Sequence, residues 1–565
     1  MEVFDHKLEE GYYAFKRGNI EIQYKIEKIT IGYKVSGKIR GKLGRIKILE
    51  IQRPKGDLYL NNWQSWGLFT EEDEYREVLD TYRKRRIGIY TYTPIPDVFK
   101  REVISDYFLL GEEFLLGFLT SKIGHPYFVI GKNTIEAYIE YFDTQFEDYI
   151  PIEPLVILKD LSKNMLLLQY GDLVKIKNKV RINSWNPVGW SSWYQYFLDL
   201  KWEDIEKNLK LSKEKEMPYE VFQIDDGYEK DIGDWLSTKD GFPEMPEIAT
   251  TIKHHGYLPG VWSAPLSISE TSELYNKHRN WTVEENNTPK KAYYNWEKEI
   301  YTLDITNDNV KNWLYELFSN LKKIGFRYFK IDFMFAGALP GERKRNITPI
   351  QAYREALSII RDGVGDSFVL GCGAPLLPSL GFVDGMRIGP DTAPYWQNTP
   401  TQPDINAYWA LKNALTRWFM HKKWWLNDPD CLLLRKNNTG LSPSQINLYG
   451  IVSGMLDNMI FQSDDLSYIK DDELKLLNEI LTMREGRPKV NFIAKNLFEV
   501  YTEGSRKGNK RFYVNLGEKS AIYSKREIPP TSYLEAEKDI EWVRLKKRVI
   551  KREDGRIFTY YEGNN

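Results

Sequence analysis

The segment Phe329-Lys330-Ile331-Asp332-Phe333 sets a cation two residues ahead of a carboxylate. On an extended strand, residues two apart project from the same side. A cation beside a carboxylate favours its ionised form, and an ionised carboxylate at the mouth of a site suits a nucleophile. A structural ion pair fits the same motif equally well. A second carboxyl stands in Arg387-Ile388-Gly389-Pro390-Asp391-Thr392, with Tyr395 and Trp396 close behind. On a Gly-Pro turn among aromatics it is expected to be partly desolvated, which favours the protonated form that a general acid needs. The competing reading is an Asp that only caps a turn. A third cluster is Gln223-Ile224-Asp225-Asp226-Gly227-Tyr228. Adjacent carboxylates repel unless something shares them. Neighbouring hydroxyls of a sugar, a divalent cation or a helix N-terminus all qualify.

Further acidic segments are Asn427-Asp428-Pro429-Asp430 and Ser463-Asp464-Asp465, where a turn-forming role competes with ligand contact. Aromatics gather near the same segments: Trp190, Trp193, Tyr194, Trp262 and Trp396. The polar turn Asn61 to Gly67 carries Trp63 and Trp66. A large apolar ring in a polar loop is unusual. Either the loop packs onto a neighbouring domain, or one of its indoles reaches into a site.

Eight short apolar runs must position these groups: Pro187 to Ser192, Val221 to Ile224, Leu258 to Ser263, Tyr328 to Ile331, Phe368 to Gly371, Gly385 to Ile388, Lys423 to Leu426 and Asn458 to Phe461. Between them lie segments of helical period: Trp202 to Glu214, Pro246 to His254, Asn309 to Lys323, Pro349 to Arg361, Asp404 to Lys412 and Pro443 to Met455. Eight βα repeats close into a (β/α)8 barrel, whose active site lies at the C-terminal ends of its strands. The polar and carboxylate residues above follow those ends. This predicts a barrel over residues 183–487.

Residues 1–182 read as an antiparallel β-sandwich domain, with period-two alternation from Ile20 to Ile51 and strands at Tyr90 to Val98, Phe114 to Leu119, Pro126 to Ile130, Glu136 to Phe142 and Met165 to Gln169. No amphipathic helix is expected there. Residues 488–565 read as a small C-terminal antiparallel β domain, with strands at Leu497 to Thr502, Arg511 to Asn515 and Ala521 to Tyr523; Ile540 to Lys551 fits either a strand or an amphipathic segment.

Composition narrows the function. Lys plus Arg number 79 against 80 Asp plus Glu, a net charge of −1, which argues against nucleic-acid binding. The 2 cysteines cannot build a disulfide framework, and the 6 histidines include no HExxH pair. No apolar run reaches the ~20 residues of a membrane span, and the N-terminal segment lacks the apolar core of a signal peptide. The expectation is a soluble cytoplasmic protein that binds neither nucleic acid nor membrane, with a homo-oligomer left open. The 17 Trp and 37 Tyr serve cores first, but flat rings also pack on the apolar face of a pyranose.

Seven segments, GWSSWY, QIDDGY, GVWSAP, the KID of Lys330 to Asp332, CGAP, the RIGPD of Arg387 to Asp391 and WLNDPDC, stand in that order in the chain. In these the sequence resembles the α-galactosidase clan of glycoside hydrolases, and within it family thirty-six. The flanking β domains and the WQSW turn fit the same resemblance. It implies Asp332 as nucleophile and Asp391 as general acid/base of a retaining double displacement through a covalent galactosyl-enzyme. It also implies Asp225 and Asp226 on the C4 and C6 hydroxyls of galactose. Trp262 and Lys330 would line the same subsite, with Cys372 and Arg387 near the C2 hydroxyl. Trp193 and Tyr194 of GWSSWY are further candidate contacts, and Trp66 or Trp63 would reach in from the N-terminal domain. No metal or organic cofactor is implied; the partner is a small α-galactoside. Alternatives are a galactosyltransferase of the raffinose- or stachyose-synthase type, an α-N-acetylgalactosaminidase, a catalytically dead sugar-binding protein, and a metal-dependent hydrolase using Asp225, Asp226 and Asp464.

Overall fold

The computed structural model describes the chain apart from residues 85–87, 398–403, 506–507, 524–525, 536–544, 552–556 and 564–565. Its centre is a parallel sheet of eight strands: β1 (Val188–Ser191), β2 (Val221–Ile224), β3 (Leu258–Ser263), β4 (Tyr328–Ile331), β5 (Phe368–Gly371), β6 (Gly385–Arg387), β7 (Leu426–Asp428) and β8 (Ile460–Gln462). They pair in the order 7-6-5-4-3-2-1-8. No ladder joins β7 to β8. That seam is closed by Met459 N donating to Asn427 O at 2.9 Å and by a parallel bridge between Leu432 and Gln462. The barrel expected from the sequence is therefore present and nearly closed. Its last two strands sit one to three residues later than the apolar runs suggested, because Trp424 and Trp425 pack as buried rings ahead of β7.

The N-terminal region is one antiparallel sheet of 13 strands. Two long strands, Gly32–Gln52 and Thr134–Pro151, form its spine and pair along most of their length. Alternate residues of Ile20–Ile29 and Gly32–Gln52 are buried, as the period-two pattern requires.

Three expectations for this region are corrected. Glu72–Lys84 and Lys163–Asn178 are helices, and Met165 to Gln169 lies inside the second. Tyr90 to Val98 is not a strand but a 3-10 turn, Ile89–Thr91, followed by a helical turn, Pro96–Phe99. The first helix buries Tyr75, Val78, Leu79 and Tyr82, an i, i+3, i+4, i+7 stripe. The second packs on Phe114–Phe118 of the N-terminal sheet, on Trp418–Met420 of the barrel and on the C-terminal strand Arg487–Ala494. Surrounded on several sides, it needs no single apolar stripe. Its Tyr170 lies so close over Gly117 that a Cβ there would sit 2.4 Å from the ring.

The C-terminal region holds two four-stranded sheets, antiparallel except for one parallel pair, Ala521–Tyr523 with Ile557–Gly563. Of the segment Ile540 to Lys551, the strand is Leu545–Lys551, and residues 540–544 lie outside the described residues. Among the described residues no helix is long and apolar enough to cross a membrane.

Candidate active site

A cavity of about 480 Å³ opens at the C-terminal ends of the barrel strands. Asp225, Asp226, Trp262, Lys330, Asp332 and Asp391 all line it, as do Trp193 and Trp66. Six separate chain segments thus meet where the sequence pattern put them.

Asp332 follows β4 and is 6% exposed. Its backbone N–H donates to Ser263 O at 2.8 Å, stitching it to the end of β3. Its Oδ1 accepts from Phe333 N at 2.7 Å and its Oδ2 from Trp262 Nε1 at 3.1 Å. Phe333 takes a left-handed conformation (φ 51°), which turns the chain sharply away and leaves the carboxyl at the strand tip. Burial raises the Asp332 pKa; the Lys330 ammonium opposes that rise and the Asp391 charge adds to it.

Lys330 does not hydrogen-bond Asp332 as its spacing suggests. Its Nζ reaches across the barrel to Asp225 Oδ2 at 2.9 Å. Burial works against the ammonium, but the charges of Asp225 and Asp332 outweigh it and hold its pKa well above the usual range. Asp225 also accepts from Ser191 Oγ at 3.2 Å and from Gln223 Nε2. Asp226 accepts from Trp296 Nε1 at 2.8 Å.

Asp391 sits in the loop after β6 with its side chain about a third exposed (32%), held by Arg387 Nη2 at 3.0 Å. The same guanidinium reaches Asp430 at 2.8 Å. Asp430 (φ 84°) also accepts from Thr392 N at 2.8 Å and from the Tyr194 hydroxyl. Asp430, Tyr194 and Arg387 therefore form a buried clamp under the Asp391 loop. Asp464 is taken up by Arg435 at 2.9 Å and by Leu434 N at 2.8 Å, away from the Asp225-Asp226 pair. Among the described residues no cluster of three or more His, Cys, Asp or Glu is arranged to hold a metal.

The two indoles of the N-terminal turn part company. Trp66 lines the cavity and donates to Cys372 Sγ at 3.1 Å. Trp63 is fully buried, bonded to Thr91 O at 3.2 Å and edge-on to His125. Cys372, Arg387 and Tyr194 are buried behind the lining residues. Trp190 stacks on Phe222 on the face of β1 and β2 turned away from Asp225, and Trp396 packs on Tyr408; neither lines the cavity.

Residues 25–159 match the model of the α-galactosidase N-terminal domain, and residues 155–354 match the melibiase model. Together the two run without a gap over more than half of the chain. The chain carries the two domains that these α-galactosidase family models describe. Among curated relatives, α-galactosidase AgaA of Geobacillus stearothermophilus is 25% identical over 232 residues, 38% of this chain and 30% of its own length. α-Galactosidase 1 of Pediococcus pentosaceus is 23% identical over 216 residues, 34% of this chain and 28% of its own length. These matches span less than a third of the relatives. Among solved structures, the α-galactosidase TtGalA of Thermus thermophilus, in complex with p-nitrophenyl α-D-galactopyranoside, superposes with a TM-score of 0.69 at 23% identity, over 89% of this chain and 99% of that one. The family thirty-six AgaA structure superposes with a TM-score of 0.60 at 14% identity, over 94% of this chain and 75% of that one. The likeness in fold thus extends much further along the chain than the likeness in sequence.

Sequence reasoning missed several residues in and just behind this cavity. Trp296 and Tyr293 come from a hairpin, Lys291–Asn295 with Lys298–Thr302, inserted between β3 and β4. Its turn residues Trp296 and Glu297 both have positive φ (50° and 57°), the geometry of a tight hairpin turn without the usual glycine. Glu229 is buried just beyond Asp226 and accepts from Gly227 N and Tyr228 N, both at 3.1 Å. The one available signal for the hairpin was its alternation around Trp296; nothing in its spacing linked it to Asp226.

Proposed function

We propose that this protein is a retaining α-galactosidase that removes terminal α-linked galactose from oligosaccharides. The observation that carries the reading is the convergence of Asp332 and Asp391 on one cavity, the first fixed at a strand tip and the second on a partly open loop. Asp332 attacks the anomeric carbon while Asp391 protonates the glycosidic oxygen, and a covalent β-galactosyl ester forms through an oxocarbenium-like transition state. Asp391, now a base, activates water, and the configuration at C1 is retained. Asp225 and Asp226 take the C4 and C6 hydroxyls, Trp262 and Lys330 fix the carboxylates around the ring, and Trp66 closes the cavity from the N-terminal domain. Cys372, Arg387 and Tyr194 act from behind by holding Trp66 and the Asp391 loop. Trp193 packs against the substrate. The stachyose and nitrophenyl galactoside complexes of the Thermus relative support the substrate class. Two free buried thiols suit a reducing compartment, so we infer a cytoplasmic location. The test is turnover of nitrophenyl α-galactoside against the β-galactoside, the α-glucoside and the α-N-acetylgalactosaminide. Strong preference for the first is expected; faster turnover of any of the others overturns the reading.

A further inference from the structure

Asp225 and Asp226 are adjacent in sequence and unlike in surroundings. Asp225 has a buried cation on Oδ2, Lys330 Nζ at 2.9 Å, and takes Asp226 N on Oδ1 at 3.0 Å. Asp226 is 4% exposed and has no such cation: Oδ2 takes Trp296 Nε1 at 2.8 Å, while the buried Oδ1 meets no donor among the described residues. The Glu229 carboxyl, itself 8% exposed, sits beside it: its Oε2 accepts from Gly227 N, the backbone N–H that directly follows Asp226, at 3.1 Å. Glu229 Oε2 already accepts two backbone N–H groups.

Two carboxyls buried side by side cannot both stay ionised, and one proton between them removes the repulsion. The two backbone donors favour charge on Glu229, and the unpartnered Oδ1 of Asp226 offers the seat for the proton. We propose that Asp226 and Glu229 share a single proton, so that Asp226 presents a neutral carboxyl to the ligand while Asp225 presents a charged one, with Glu229 as the positioning residue. Resting on the galactoside reading for what fills the cavity, the pair assigns unlike roles to two residues that look equivalent in the sequence.

The surroundings agree. Burial raises the pKa of both carboxyls, and the charges of Glu229 and Asp225 raise Asp226 further. Lys239 faces the pair, with its own pKa lowered by burial and its Nζ bonded to Leu198 O at 3.0 Å; Asp199 lies near it. The phenols of Tyr228 and Tyr293 stay neutral, since burial pushes both pKa values well above 10. Unfolded carboxyls lose their protons at roughly pH 4, whereas the native pair holds one to higher pH. The native state therefore binds the extra proton, and the pair's contribution to stability falls as pH rises through that window.

Difference infrared spectroscopy of the full chain at pH 7 reads the proton directly. Asp226→Asn should remove one protonated-carboxyl carbonyl band, because the amide can donate to Glu229 and leave it ionised. Glu229→Gln should shift or remove the same band. A band in the wild type that neither variant alters, or no band at all, overturns the shared proton; either variant alone suffices if the other fails to fold. Asn at position 226 also mimics the neutral acid. Asp225→Asn, which strips a charged acceptor, should thus lose about tenfold more kcat/KM for nitrophenyl α-galactoside than Asp226→Asn. Equal losses overturn the unlike roles. A wild type that does not turn over the galactoside at all sinks the galactoside reading instead, and leaves the infrared result standing.

Discussion

Asp332 and Asp391 face one cavity from two differently built regions. Asp332 is tied at three points, through its own N–H to Ser263 and through both carboxyl oxygens to Phe333 and Trp262, and is 6% exposed. Asp391 rides on a loop, is about a third exposed (32%), and is held by the Arg387 guanidinium. An attacking group gains from being fixed at bond-forming distance, because misplacement of about 1 Å costs on the order of 10² in rate. A proton donor that must reload each cycle gains from contact with water. The rigid strand tip and the open loop match those two demands.

Breaking the rigid side should have the largest effect. Asp332→Gly should lower hydrolysis of nitrophenyl α-galactoside by roughly three orders of magnitude or more, with partial rescue by azide. Azide occupies the vacated space and attacks C1, so the rescued product should be the β-galactosyl azide, identified by NMR. Breaking the open side should depend on the leaving group. Asp391→Gly should cost raffinose-type substrates about 10²–10⁴ in kcat and nitrophenyl substrates much less. Equal losses on both substrates would remove Asp391 from the acid/base role.

Smaller changes sharpen the comparison. Arg387 bridges Asp391 and Asp430 at 3.0 and 2.8 Å through its Nη2, while Nη1 faces Cys372 Sγ at 3.8 Å, an arrangement that the shorter lysine side chain with its single ammonium does not fill. Arg387→Lys should cost about tenfold in kcat/KM, more for poor leaving groups than for good ones. Steady-state kinetics on the two substrate types measures the difference.

The pH profile gives the smallest and finest test. Burial raises the Asp332 pKa above its ordinary 3.8, with the Asp391 charge adding to the rise. Attack needs the ionised form, so activity should fall on the acidic side at a pH above the ordinary Asp range. The Lys330 ammonium opposes the rise, so Lys330→Gln should move the acidic limb to higher pH for the nitrophenyl substrate. An acidic limb that stays put would show that Asp332 does not sense the Lys330 charge.

The strand ends of this site were legible because each barrel strand is a short apolar run that stops at a polar residue, as at Ile331-Asp332 and Ile224-Asp225. Helix Glu72–Lys84 carries a legible stripe too, Tyr75, Val78, Leu79 and Tyr82, masked by the charged residues around it. Helix Lys163–Asn178 was not, because it is packed by three parts of the molecule and carries no stripe. The partner of Lys330 was hidden for a related reason: residues two apart share a side of a strand, but a long side chain inside a barrel reaches past the neighbouring strand, here from β4 to the end of β2. The Trp296–Asp226 contact joins residues 70 apart, through an insertion whose position only the folded chain reveals.

The central claim, attack by a fixed Asp332 followed by water on the opposite face, the one the leaving group vacated, is read most directly from the anomer first released. Proton NMR on the wild-type protein during the first turnovers of nitrophenyl α-galactoside follows the anomeric signal before mutarotation mixes it. Retention through a galactosyl-enzyme gives α-galactose first, with the β-anomer growing in later. Release of β-galactose first would mean direct attack by water and would contradict the nucleophilic role of Asp332.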